Sequence, residues 1–143
     1  MRIRLTPRSL CLPVAMLAGS WLLPPPPLAA QAVLRPGTEA RGELKGGDTR
    51  LDDNTYVDLW RFNGSAGQQV RITMRSSAFD AYLALGYPDD SGEWHPVESD
   101  DDGAGGTDAR VSATLPRDGE YVVRANTLSE GQTGSYTLLL ESA

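Results

Sequence analysis

The densest group of potential ligands in this sequence is a short acidic stretch in its second half. It places four carboxylates within nine residues, at Asp100, Asp101, Asp102 and Asp108, with three glycines between them. Carboxylates this close repel one another, and a hard cation that accepts about six to eight oxygen ligands relieves the repulsion. Glycine also lets the backbone turn so that carbonyl oxygens can serve as further ligands. The stretch therefore predicts a calcium site.

A fifth carboxylate, Asp80, is expected to reach the same region, because period-two alternation directs it away from the apolar residues on either side of it. Asp58 is a weaker candidate, since alternation places it on the face of Trp60 and Phe62, where it needs a polar partner. The alternative interpretation is a solvated acidic loop that keeps one end of the domain soluble. The ligand set predicted for calcium is therefore Asp80 with the four carboxylates of the acidic stretch.

Catalytic arrangements find little support in the sequence. His95 is the only histidine, and its position between Trp94 and Pro96 predicts a surface residue in a loop. A single histidine, with the only cysteine near the N-terminus, provides neither a catalytic triad nor a set of zinc ligands. The triplet Asp90-Ser91-Gly92 matches that of aspartic proteases, but its neighbours indicate an exposed hairpin turn. We therefore expect no enzyme activity.

Two aromatic residues close to His95 are candidates for ligand stacking. Trp94, with Tyr87 nearby in the sequence, could form a platform for a sugar ring or a peptide. The alternative is that Trp94 covers the end of the hydrophobic core. The pair is therefore predicted only as a possible binding surface.

The elements that must position these residues are short strands. From Glu39 onward, apolar residues recur with period two in runs separated by clusters of Gly, Asp, Asn and Ser. Turns are expected at 64–67, 88–92, 116–119 and 130–134, and a short tail at 33–37. Each apolar face needs a partner, and two packed sheets provide it. The pattern predicts an all-β chain, an antiparallel β-sandwich of about eight strands.

The first 32 residues are typical of an export signal. A leader with three arginines precedes an apolar run of about fourteen residues, and Ala30-Gln31-Ala32 supplies a signal-peptidase site. Prolines interrupt the run, which is too short for a stable membrane span. We therefore expect a signal peptide at 1–32, a domain at 33–143, and a periplasmic or secreted mature protein without stable membrane insertion.

The charge of the mature chain excludes one class of partner. Removal of residues 1–32 takes away three arginines and no acids, which leaves ten basic against nineteen acidic side chains and a formal charge of −9. Affinity for nucleic acid comes mainly from Lys and Arg that displace counterions. No nucleic-acid partner is expected.

A series of strand and turn phrases resembles the bacterial pre-peptidase C-terminal domain. The phrases follow one another in the family's order and cover nearly all of the mature chain: Tyr56 to Phe62, Gly67 to Val70, Phe79 to Leu83, the acidic stretch, Asp118 to Tyr121 and Gly134 to Leu138. The resemblance implies a jelly-roll-like β-sandwich that is not catalytic and usually accompanies secreted peptidases, in a family where calcium-binding members occur. No peptidase precedes the domain in this chain, which departs from the family's pattern.

These observations together predict an exported, non-catalytic accessory domain, stabilised by calcium, that mediates binding or stability. The expected partner is a co-secreted peptidase or another exported protein. The alternative is a carbohydrate-binding module of a secreted protein, in which Trp94 and Tyr87 would contact the sugar.

Overall fold

A computed structural model of the chain describes residues 32–142, which form ten β-strands. The described range contains no helix. It therefore has no helix that is long and apolar enough to cross a membrane. The predicted signal peptide lies outside the described residues except for Ala32. The strands are β1 Ala32–Val33, β2 Ala40–Leu44, β3 Thr49–Arg50, β4 Tyr56–Gly64, β5 Gln69–Arg75, β6 Ala81–Pro88, β7 Trp94–Asp100, β8 Ala109–Thr114, β9 Gly119–Thr127 and β10 Gly134–Ser142.

Two sheets pack face to face and confirm the predicted all-β, jelly-roll-like sandwich. The larger sheet has the order β1-β4-β9-β6-β7, with β3 paired to β4 as its sixth strand, and the smaller sheet has the order β2-β10-β5-β8. All pairs are antiparallel except β1 with β4. The four predicted turns join β4 to β5, β6 to β7, β8 to β9 and β9 to β10.

The core lies between the sheets and is built from alternate residues of each strand. In β5, Val70, Ile72 and Met74 are buried and point inward, and β4 contributes Trp60 and Phe62 from the opposite sheet. Burial of such side chains contributes roughly 1.5 to 3 kcal/mol each. The period-two pattern of the sequence therefore corresponds to one shared core.

A polar network crosses this core. The indole Nε1 of Trp60 in β4 donates a hydrogen bond of 2.9 Å to the hydroxyl of Tyr136 in β10, and that hydroxyl donates to Oδ2 of Asp58 at 2.5 Å. Gly42 in β2 lies against the Tyr136 ring, and a Cβ at this position would overlap it. Asp58 thus has the polar partner that its position on the core face requires, and the network ties the two sheets together.

Two segments differ from the sequence-based expectation. Residues 33–37 do not form a simple tail: Ala32–Val33 is β1, and Leu34 is 2% exposed, with its N–H donating to the carbonyl of Arg61 at 2.8 Å. His95 does not lie in a loop but in β7. Strand β7 is an edge strand that contains Pro96, and none of its residues is fully buried, so its sequence shows no apolar alternation.

Candidate functional site

The acidic stretch forms the loop between β7 and β8, and Asp100 organises it. The Oδ2 of Asp100, the last residue of β7, accepts hydrogen bonds from the backbone N–H groups of Gly103 at 2.6 Å and Arg110 at 2.9 Å. Gly105 and Gly106 have φ values of 95° and 61°, which an L-residue rarely adopts. One carboxylate therefore closes the loop, and two glycines allow its turn.

Three of the predicted ligands lie together in this loop. Carboxylate oxygens of Asp100, Asp101 and Asp102 are all within 4.8 Å of one another. Asp102 is exposed and the other two are half-buried. The group offers only oxygen atoms, which are the ligands that hard cations prefer.

Asp108 does not belong to this group of three. Its Oδ1 accepts a hydrogen bond from the N–H of Ser76 at 3.2 Å, and its Oδ2 lies 4.0 Å from Nε of Arg75. The carboxylate of Asp108 therefore connects the end of the loop to the end of β5.

Asp80 also lies outside the group, although its backbone is next to the loop. The N–H of Ala81 donates to the carbonyl of Thr107 at 2.9 Å. The Oδ1 of Asp80 is buried, and among residues 32–142 it has no hydrogen-bond partner. A buried acceptor without a donor is energetically costly, so this oxygen needs a partner that the described residues do not supply.

A second group of potential ligands was not predicted from the sequence. Ligand atoms of Asp89, Glu93 and His95, at the turn between β6 and β7, all lie within 4.8 Å of one another. The Oδ1 of Asp89 accepts from the N–H and hydroxyl of Ser91 and from the N–H of Glu93, and its Oδ2 lies 2.8 Å from Nε2 of His95. The Ser91 hydroxyl bond, followed by the contact with His95, holds the pKa of Asp89 well below its usual range.

Tyr87 and Trp94 do not form one platform. In the β6–β7 pair, Tyr87 is opposite His95 and Pro88 is opposite Trp94, so the two aromatic residues project from opposite faces of the larger sheet. The Tyr87 ring stacks on His95, with centroids 5.2 Å apart, and the guanidinium of Arg117 lies 4.2 Å from its centre. Tyr87 is therefore enclosed by its neighbours.

Trp94 lies on the outer side of the larger sheet. Its indole rests against Gly86, where a Cβ would overlap it, and the guanidinium of Arg124 lies 3.9 Å from its ring centre. One face of this indole is therefore covered by a cation.

The fold and these clusters define a β-sandwich module whose groups of polar side chains lie in surface turns. A sequence model described as the bacterial pre-peptidase C-terminal domain matches residues 56–127, about half of the chain, from β4 to β9. The chain belongs to this family. A search of curated protein sequences finds no match.

Two solved structures share the fold. The pre-peptidase C-terminal domain of a collagenase from Bacillus anthracis is 19% identical, with a TM-score of 0.56, over 78% of this chain and 94% of that chain. PliG from Aeromonas hydrophila, a periplasmic lysozyme inhibitor of g-type lysozyme, is 12% identical, with a TM-score of 0.53, over 78% of this chain and 96% of that chain. At these identities the similarity shows the fold alone.

Proposed function

We propose that this chain is an exported, non-catalytic accessory domain that binds a protein partner outside the cytoplasm. Three observations support the proposal: membership of a family whose domains accompany secreted peptidases, the export signal predicted at 1–32, and the shared fold of a periplasmic protein. A co-secreted peptidase or another exported protein is the partner that we expect.

The position of the single histidine carries the non-catalytic part of this proposal. A general base must reach the proton that it removes, yet His95 in β7 is stacked on Tyr87, and its Nε2 lies 2.8 Å from Oδ2 of Asp89 in the adjoining turn. The hydroxyl of Ser91 is bonded to the same carboxylate rather than to the imidazole. The histidine therefore serves to order the β6–β7 turn.

The test of this function begins with export. Mature protein recovered from periplasm or medium should start at Val33, as shown by its intact mass, and should capture a separately identified exported peptidase from the same source. Recovery only from cytosol, with residues 1–32 attached, would contradict export.

Glycan binding that is lost in Trp94→Ala would instead favour the carbohydrate-binding alternative.

We also propose that the β7–β8 loop holds calcium. The residues that fit are Asp100, Asp101 and Asp102, whose oxygens already lie within 4.8 Å of one another, with Asp80 as a neighbour whose buried Oδ1 has no partner. Asp108 would act through its bond to Ser76, which fixes the end of the loop. A bound calcium ion would supply the positive charge that these carboxylates otherwise lack.

A thermal melt in calcium and in chelator tests this proposal. An ion that binds only the folded state at about a hundred times its Kd stabilises it by roughly 2.7 kcal/mol. Magnesium should do less, because it dehydrates reluctantly and demands an octahedral cage. The variant Asp101→Ala should lose the calcium shift, because it removes one of the three carboxylates that lie within 4.8 Å of one another.

The matched control is Asp90→Ala, an exposed carboxylate in the β6–β7 turn, which should keep the full calcium shift. Without calcium, Asp101→Ala should be neutral or slightly stabilising, because it relieves like-charge repulsion. If neither calcium nor chelator changes the melting temperature of wild type or of Asp101→Ala, the calcium proposal is wrong and the stretch is a solvated acidic loop.

A further inference from the structure

The outer face of the larger sheet carries more apolar side chains than the outer face of the smaller sheet. Strands β4, β9 and β6 are its three central strands, and their outward positions alternate with core residues such as Trp60, Val123 and Leu85. A sheet with one face on a core and one in water is expected to be polar outside. Here the outward residues are Val57, Leu59, Arg61 and Asn63 of β4, Glu120, Val122, Arg124 and Asn126 of β9, and Tyr82, Ala84, Gly86 and Pro88 of β6. With Trp94 from β7 they form what we call the apolar face.

The strand register makes this face continuous. Arg124 of β9 is opposite Leu59 of β4 on one side and Ala84 of β6 on the other. In the next rows, Val122 is opposite Arg61 and Gly86, and Asn126 is opposite Val57 and Tyr82. Each row therefore places apolar residues beside one polar residue, and apolar surface with a few fixed polar groups is typical of interaction sites in soluble proteins.

The side chains of this face are already partly shielded from water. Val57 and Val122 are 4% and 7% exposed, although neither points into the core. Leu59, Tyr82, Ala84 and Trp94 are half-buried. A partner that covers them would remove the remaining apolar area from water at little conformational cost, because the side chains stand on rigid strands.

Arg124 lies at the centre of the face and lacks a counter-charge. It makes no hydrogen bond through its side chain and no ion pair within residues 32–142, whereas Arg61 on the same face lies 3.4 Å from Glu120. Its guanidinium is held 3.9 Å from the Trp94 ring centre. Burial lowers the pKa of Arg124. A partly desolvated cation in a fixed position is suited to pair with a carboxylate.

We propose that the apolar face is a docking site for a partner protein that contributes a segment with apolar side chains around one carboxylate, and that Arg124 pairs with this carboxylate. The proposal rests on the proposed function only in requiring a protein partner. Tryptophan, tyrosine and arginine, which this face presents as Trp94, Tyr82 and Arg124, are the residue types that dominate binding energy at protein interfaces.

Charge favours a different protein over a second copy of this chain as the partner on the apolar face. Because β9 is the middle of the three central strands, two copies stacked by these faces would bring their Arg124 side chains toward each other, and like charges disfavour such a contact. A carboxylate from a different protein removes the conflict.

The test uses a random peptide library displayed on phage and selected on the mature protein. The enriched peptides should share one Asp or Glu flanked by apolar residues. In synthetic peptides, replacement of that acid by its amide should weaken binding roughly tenfold, and Arg124→Gln should weaken the acidic peptide by a similar factor while leaving the amide peptide unchanged. This non-additivity identifies the pair.

Arg50→Gln is the matched control. Arg50 is an exposed arginine whose guanidinium lies 5.2 Å from the Tyr56 ring centre, away from the apolar face, so its loss should leave binding intact. Leu59→Ser provides a second variant on the face itself and should also weaken binding. Circular dichroism checks that each variant is folded.

Enrichment of peptides without an acid, no enrichment at all, or equal binding to wild type and Arg124→Gln would overturn the proposal. These results are distinct from failure of the proposed function. If an exported peptidase is still captured by Arg124→Gln at wild-type strength, the accessory role stands and the partner docks elsewhere.

Discussion

The outer faces of the two sheets have opposite characters, although their inner faces follow the same pattern. On the smaller sheet, the outward residues of β5 and β10 are polar except for Leu139: Gln69, Arg71, Thr73, Arg75, Ser135, Thr137 and Glu141. On the larger sheet, the corresponding positions carry Val, Leu, Tyr and Ala around Arg124, with Arg61, Asn63, Glu120 and Asn126 as the other polar residues. Because the inner faces are alike, the outer faces distinguish a sheet that faces water from one that is suited to a partner.

A groove on the smaller sheet illustrates the difference. Its volume is about 1010 Å³, and its lining includes Arg41, Arg75, Glu43 and Asp108 with several hydroxyls. Arg75 lies 4.0 Å from Asp108, and Arg41 lies 3.8 Å from Glu39. The charges of this groove are balanced, whereas Arg124 on the apolar face has no such match.

The largest expected effect comes from placing a carboxylate on each outer face. Val122→Asp buries a charge in a site that is 7% exposed and should lower the free energy of unfolding by about 2 to 3 kcal/mol. Thr137→Asp, which the register places between Arg41 and Arg75, should change it by no more than about 0.5 kcal/mol. Urea unfolding at neutral pH measures both, and equal losses would remove the distinction between the faces.

Removal of the hydroxyl from an inner and from an outer tyrosine should change the free energy of unfolding less than the Val122→Asp substitution does. Tyr136→Phe leaves Trp60 Nε1 and Asp58 without their partner and should destabilise the protein by roughly 1 to 3 kcal/mol. Tyr82→Phe, on the apolar face, removes a hydroxyl that makes no hydrogen bond within the described chain, so its effect should stay within about 0.5 kcal/mol. Thermal and urea unfolding of the two variants provide the comparison.

The smallest effect is the pH dependence of the carboxylate between the sheets. Burial raises the pKa of Asp58, although the Tyr136 hydrogen bond partly opposes this. A raised folded-state pKa means that the contribution of Asp58 to stability is complete below its ordinary value of 3.8 and is lost as pH rises through the raised value. The stability of wild type relative to Asp58→Asn should therefore decrease as pH rises above about 4.

Asp53 provides a control of opposite sign. Its hydrogen bond from the Thr55 hydroxyl, followed by that from the Thr55 N–H, lowers its pKa. Its stabilisation is present above the ordinary value and is lost as pH falls below it. Urea unfolding from about pH 3 to 7 gives the stability of wild type relative to each variant. With rising pH, this difference should decrease for Asp58→Asn and increase for Asp53→Asn. If the two stability differences changed with pH in the same direction, the core position of Asp58 would not be the cause of its pH dependence.

Much of the fold follows from local chemistry and could be predicted from the sequence. The inward triplets Val70, Ile72 and Met74 show period two directly, and Gly, Asp and Pro mark the turns. Strand β7 could not be recognised, because its exposed residues carry no apolar alternation and its pairing depends on a register shift between Leu85 and Gly86 of the neighbouring strand. Strand β1 is two residues long and depends on parallel pairing with Trp60 and Arg61, distant in sequence.

The candidate sites show the same limit. The proximity of Asp100, Asp101 and Asp102 follows from their adjacency in the sequence. The separation of Asp108 from them depends on a contact with Ser76 on another strand, which spacing alone does not show. The Asp89, Glu93 and His95 group was missed because it forms across a hairpin, but the Asp-x-Ser turn signal before a histidine was available to find it.

The place of β10 has a consequence for the timing of assembly. This strand is the last in the described chain, yet it lies inside the smaller sheet between β2 and β5, and its Tyr136 joins the network that crosses the core. A chain that has not yet delivered residues 134–142 cannot bring β2 and β5 into one sheet. The smaller sheet therefore cannot close until residues 134–142 are available, so the last strand of the described chain completes the sandwich.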